Sequence, residues 1–158
     1  MTSLLVAQPA PPSAPRRAGE LAGSADKRPF IQRLFTDIAP RYDWFNRLAS
    51  CGLDQRWRKA AVARAGIGPG MRVLDVCAGT GDLALACAGQ HAGLGQVVGV
   101  DLNAAMLEFA CRKQRARGLQ VAWIRGDAQT LPFHSGEFDR VLIGFSTRNL
   151  SDLTEGLR

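Results

Sequence analysis

Histidine is almost absent from this 158-residue chain: two residues, alongside a single tyrosine. Chemistry built on a histidine pair or triad therefore has little to work with. The four cysteines, Cys51, Cys77, Cys87 and Cys111, include no CxxC pair and have no histidine at ligand spacing. That pattern argues against a structural zinc site and against a disulfide scaffold, and it fits a reducing compartment. No apolar run approaches the roughly 18 residues that a membrane-spanning helix needs. The length suits one domain of ordinary size rather than two well-cored ones.

What is present is unevenly placed. Residues 1–66 hold eleven Lys/Arg against five Asp/Glu, and residues 67–158 hold nine against nine, so the net charge of +6 lies wholly in the first part. A basic first part on a neutral remainder suits an anionic partner, such as phosphate or a lipid headgroup surface, and equally a solvated basic face. Residues 1–26 carry four of the eight prolines and read as a disordered tail. Residues 27–65 turn helical. Ile31, Leu34, Phe35 and Ile38 form an apolar stripe at helical spacing, and Pro40 is expected to end or kink that helix before a second segment from Arg41. Six of the eleven aromatics fall between Phe30 and Trp57, interleaved with arginines. This suits a membrane–water interface or the mouth of an apolar pocket, or simply packing on the following domain.

After the Gly66–Gly70 turn the rhythm changes. Strands are expected at Met71–Val76, Gln96–Val100, Leu119–Ile124 and Phe138–Ile143, with helices at Leu83–Ala88 and Ala104–Ala116. Alternation at this spacing marks an α/β domain over residues 66–158 with a parallel sheet and right-handed crossovers.

The informative stretch is Val73-Leu-Asp-Val-Cys-Ala-Gly-Thr-Gly-Asp82. An apolar strand runs into Gly79-Thr80-Gly81, and a helix follows. Glycine permits the tight turn and close approach of a ligand to the backbone. The run also fits GxGxxA, so a dinucleotide site has to be weighed. Asp75 on the strand would repel a pyrophosphate but could serve a cationic ligand. Asp101 closes the second strand, where an acid can bridge ribose hydroxyls, and Asp127 follows the third. Three acids at the carboxyl ends of three successive strands overlook one crevice. An adenosyl ligand with a sulfonium and an amino group, and no phosphate, suits that ring better than NAD.

These motifs, in the order LD-x-C-x-GTGD, VD, GDA and LPF-x-x-x-x-FD, resemble the class I S-adenosylmethionine-dependent methyltransferases. More narrowly, the segment from Phe35 to Arg58, with Arg41-Tyr42-Asp43-Trp-Phe-Asn46, and Gly144-Phe-Ser-Thr-Arg148-Asn149 resemble the ubiquinone/menaquinone C-methyltransferase family. The resemblance covers about residues 27–158. It implies a Rossmann-like fold in which residues 27–65 cap the active site, with S-adenosyl-L-methionine held by Asp75, Gly79, Thr80, Gly81, Asp101, Asp127, Ala128 and Gly144. Position 144 is a serine in many members, so a hydroxyl contact is expected to be missing there. Tyr42, Asp43 and Asn46 would lie on the substrate side, while Arg148 and Asn149 would line the quinol pocket and hold, with Asp127, a water that takes the quinol proton.

The implied reaction is C-methylation of a polyprenylated quinol, demethylmenaquinol to menaquinol, with Cys77 a cue toward the menaquinone side. The alternatives are a ubiquinone-pathway substrate or a non-catalytic truncated domain. The implied partner is the quinol, with no nucleic acid and no metal. Peripheral contact with an anionic membrane through residues 30–59 and homo-oligomerisation stay open. The implied location is cytoplasmic, at or near the inner face of the cell membrane. About four of the family's seven strands are expected, with the fourth strand an exposed edge.

Overall fold

Strand formation in this chain follows its β-branched and apolar runs, and the glycine turns between them set where each strand ends. A computed structural model describes residues 27–90 and 93–144; Arg148 and Asn149 lie outside the described residues. Two helices, α1 (Lys27–Ala49) and α2 (Leu53–Arg64), precede β1 (Arg72–Val76), α3 (Asp82–Gln90), β2 (Gln96–Asp101), α4 (Ala104–Arg117), β3 (Ala122–Arg125) and β4 (Arg140–Ile143). The strands form one parallel sheet in the order β3-β2-β1-β4. β1 is therefore central, and its register aligns Asp75 with Gly99 of β2 and Leu142 of β4. β4 occupies one edge, where Val141 is exposed.

Alternation along β1 divides the core. Val73 faces a cluster with Leu83, Leu85 and Cys87 of α3, Val97, and Val62 of α2. Leu74 and Val76 face Val98, Val100 and the loop residues Leu131, Phe133 and Phe138. Val62, Val73, Leu85 and Val100 are fully buried, each stabilising the fold by about 1.5–3 kcal/mol. Because Val62 belongs to this core, α2 is built into the α/β layer and does more than roof it.

Two expectations for the helical region are corrected. Pro40 neither ends nor divides the helix: α1 runs unbroken through it for 23 residues. A proline inside a helix costs about 3 kcal/mol, and α1 offsets this through ties along its length. Asn103 donates to the Gln32 carbonyl and to Thr36 Oγ1, both at 2.9 Å, Ala39 is buried, and Asp43 is held by Lys113 at 2.7 Å.

Only part of the apolar stripe, Phe35, belongs to the docked face. Leu34 and Ile38 are exposed, together with Phe30, Phe45 and Leu48. The face turned to the domain carries Gln32, Phe35, Ala39, Tyr42, Asp43 and Asn46, again at helical spacing. Polar ties, rather than the greasiest stripe, choose which side of α1 docks.

Candidate functional site

A half-enclosed cavity of about 400 Å³ opens at the carboxyl ends of the strands, where a parallel sheet places its ligand crevice. Its floor is built from Asp75, the Cys77–Thr80 loop and the β2 end at Val100–Asn103. Gly126, Asp127 and Ala128 close it beyond β3, and Ile143 and Gly144 close it at β4. Its roof is Gln32, Phe35 and Tyr42 of α1 with Trp57, Arg58 and Ala61 of α2. Of the residues expected to hold a cofactor, Asp75, Gly79, Thr80, Asp101, Asp127, Ala128 and Gly144 all line this cavity, as does Tyr42 on the substrate side.

Three expected residues stand elsewhere. Gly81 does not line the cavity: a Cβ there would strike the Trp123 ring and the Ala110 methyl. Gly99 meets the same ring from β2, so the two glycines form a slot for Trp123, which donates from Nε1 to Gln114 Oε1. The left-handed φ of 79° at Gly81 makes the position doubly closed to other residues. Asp43 points into a polar cluster beside the cavity, where it accepts from the Thr80 hydroxyl. Asn46 is half-buried one turn further along α1 and does not reach the lining.

The glycine loop is wired to acids. Asp101 accepts from the Gly79 amide at 2.7 Å on one oxygen and from the Asn103 amide at 2.8 Å on the other. A carboxylate offers about four acceptor sites, so beyond its backbone donors Asp101 still has capacity for a ligand hydroxyl. The same bond disfavours a pyrophosphate, because the loop amide that would face a phosphate is already donated to a carboxylate. Asp101 titrates above the usual carboxylate range because burial disfavours its charge, an effect its backbone donors only partly offset.

Asp75 is wholly buried and accepts from the Ala84 amide at 3.0 Å. It thereby caps an amide at the start of α3 from a strand one loop earlier. Its pKa is pushed up to about 7, chiefly by burial and further by Asp101 and Asp82, against the Ala84 bond and Arg58. Asp82 goes the other way. Burial would raise it, but the charge and hydrogen bond of Lys113, the Gln55 amide and Arg58 together lower it. The thiol of Cys77 is pushed up to about 12 by burial and by Asp101, Asp75 and Asp127. It stays protonated at neutral pH, so the cavity offers no thiolate nucleophile.

The arrangement thus suits a ligand with hydroxyls, a positive centre and a flat apolar part: three carboxyls beneath, and Phe35, Tyr42 and Trp57 above. Among the described residues no group of three or more His, Cys, Asp or Glu could hold a metal. Phe35 and Trp57 were read in the sequence only as aromatics suited to an interface, a pocket mouth or packing, and Gln32 and Arg58 were missed as site residues. The spacing of Gln32, Phe35 and Tyr42 along one helix held that information, but Leu34 and Ile38 drew Phe35 into a different stripe. His134 lies in an exposed turn closed by Glu137.

Residues 22–158 match the sequence profile of the ubiE/COQ5 methyltransferase family. The chain is 48% identical over 124 residues to a protein of Thermus thermophilus named demethylmenaquinone methyltransferase, covering 78% of this chain and 56% of that one. It is 40% identical over 129 residues to 2-phytyl-1,4-naphtoquinone methyltransferase of Synechocystis, covering 80% and 54%. The chain spans about half the length of the curated relatives it matches. Among solved structures, a SAM-dependent methyltransferase from Aquifex aeolicus superposes with a TM-score of 0.55 at 23% identity, over 66% of this chain and 56% of that one. The YcgJ protein from Bacillus superposes with a TM-score of 0.59 at 28% identity, over 63% and 42%. The sheet order and these superpositions give a Rossmann-like class I methyltransferase fold.

Proposed function

The chain belongs to the ubiE/COQ5 methyltransferase family, and from that premise we propose that it methylates a ring carbon of a polyprenylated quinol using S-adenosyl-L-methionine. The quinol is proposed to be demethylmenaquinol, as the name of the Thermus relative suggests. The observation that carries the reading is the ring of Asp75, Asp101 and Asp127 around a cavity whose glycine-loop amide is spent on Asp101. Such a site fits a cationic adenosyl ligand and fits a pyrophosphate poorly.

When bound, S-adenosyl-L-methionine supplies an electrophilic methyl on a sulfonium. The work of the chain is to hold, orient and deprotonate. The remaining acceptor capacity of Asp101 would take a ribose hydroxyl, while Asp75 and Asp127 balance positive charge. Phe35, Tyr42 and Trp57 form the flat wall that receives the acceptor ring and keeps water from it. Positioning of the two reactants would remove much of the entropic cost of bringing them together. The acceptor carbon becomes nucleophilic as its neighbouring hydroxyl loses a proton. We assign that proton to a water held by Asp127, Arg148 and Asn149, with Arg148 favouring the phenolate.

Methyl transfer from radiolabelled S-adenosyl-L-methionine into a short-chain demethylmenaquinol tests the reading. Arg148→Ala should lower turnover by about 10²-fold, within the range for loss of an acid–base or anion-stabilising group. Full turnover in that variant would remove Arg148 from the mechanism. Label entering a ubiquinone-type benzoquinol instead would move the substrate to the ubiquinone pathway.

A further inference from the structure

Beside the cavity lies a cluster that none of the roles above explains. The Lys113 ammonium, on α4, donates to Asp43 Oδ2 at 2.7 Å, to Asp82 Oδ1 at 2.6 Å and to Thr80 Oγ1 at 3.1 Å. An ammonium has three donors, and all three are used on three different elements: α1, the start of α3 and the glycine loop. The Thr80 hydroxyl completes the cluster by donating to Asp43. Gln55 of α2 donates to Asp82 at 2.9 Å and to Asp54 at 3.0 Å, which brings the second roof helix to the same carboxylate.

We propose that Lys113 is a positioning residue that seats the C-terminal half of α1 over the cavity, fixing Tyr42 in the roof and the Thr80 hydroxyl in the floor through one three-way clasp. The proposal rests on the cavity being the adenosyl-ligand site.

Three features favour a clasp over an ordinary surface ion pair. Lys113 and its partners are largely withdrawn from water, with Asp82 buried, whereas exposed pairs contribute little. The bonds join segments far apart in sequence, 70 residues in the case of Asp43 and Lys113. The pairing is also asymmetric. Without Lys113, Asp82 keeps Gln55 and its place in the first turn of α3. Among the described residues, Asp43 keeps only the Thr80 bond. Loss of the ammonium therefore acts first on the seam between α1 and the rest. The N-terminal half of α1 has its own tie, from Asn103 to Gln32 and Thr36, so loosening is expected to begin near Asp43 and Asn46.

Hydrogen exchange resolved by segment, on the whole chain, reads the clasp without reference to catalysis. In Lys113→Met, amides of α1 around residues 40–49 should exchange about tenfold faster while those of β1 and β2 are unchanged, as local opening requires. Lys113→Arg should restore protection, and adding Asp43→Asn to Lys113→Met should change nothing further, since neighbours in one network are not additive. Dissociation of S-adenosylhomocysteine, followed by tryptophan fluorescence, should quicken about tenfold in Lys113→Met and return toward wild type in the arginine variant. Unchanged exchange in α1 would overturn the proposal, as would exchange rising equally in β1 and β2, which would make Lys113 a general stabiliser. If the wild-type chain binds no adenosyl ligand, the functional reading fails, while the exchange pattern still decides whether the clasp exists.

Discussion

Asp75 combines full burial, a single hydrogen bond to the Ala84 amide and a pKa pushed up to about 7. An acid whose folded pKa lies above its unfolded value of 3.8 binds more protons folded than unfolded between those two values. Stability therefore falls as pH rises from about 4 to about 7, by at most about 4 kcal/mol from this group. Asp75→Asn keeps an oxygen for the Ala84 amide and removes the charge. Its denaturation midpoint should exceed that of the wild type at pH 8, and the fall between pH 4 and 7 should flatten, as chemical denaturation across that range would show. A variant as pH-dependent as the wild type would place the titration elsewhere. The expected trade is functional: without a carboxylate at 75, affinity for the proposed sulfonium ligand should drop.

Single residues also show how far the sequence could be read. The acids Asp75, Asp101 and Asp127 were legible because strand ends in a parallel sheet have fixed positions relative to the crevice. Gly81 was misread because a glycine in a loop motif can face a ligand or a side chain equally well, and only the place of Trp123 decides. Lys113 gave no signal at all. A lysine in an arginine-rich helix looks like a solvated face until the fold brings Asp43 and Asp82 to it.

At the scale of elements, the strands and their helices fell close to their expected positions, because β-branched runs and glycine turns act locally. α1 did not, because its docked face and its passage through Pro40 are both decided by contacts with α4 and the glycine loop. Docking by polar ties leaves Phe30, Leu34, Ile38, Phe45 and Leu48 on the outside of α1, with Trp44 and Trp57 exposed nearby. Arg33, Arg41, Arg47 and Arg56 lie among them in the sequence, and all four are exposed. No described helix is long and apolar enough to cross a membrane. We propose that this face rests on an anionic bilayer from which a polyprenylated quinol is taken, apolar rings entering the interface and arginines meeting headgroups. The chain should sediment with vesicles containing anionic lipid, release as salt rises, and bind neutral vesicles more weakly. Equal and negligible binding to both would end the idea.

For the molecule as a whole, we propose that one crevice, floored by three acids and roofed by two helices, takes a phosphate-free adenosyl cation. The crevice follows from the strand order, with β1 and β2 ending side by side beneath the α1 and α2 roof. The most direct test is thermal unfolding of the chain at pH 7.5 with S-adenosyl-L-methionine, with NAD and with neither. A ligand at about 100 times its Kd stabilises the folded state by roughly 2.7 kcal/mol, worth several degrees in a chain this size. The melt should be cooperative, raised by S-adenosyl-L-methionine and unmoved by NAD at equal concentration. A rise with NAD, or none with S-adenosyl-L-methionine, would contradict the proposal.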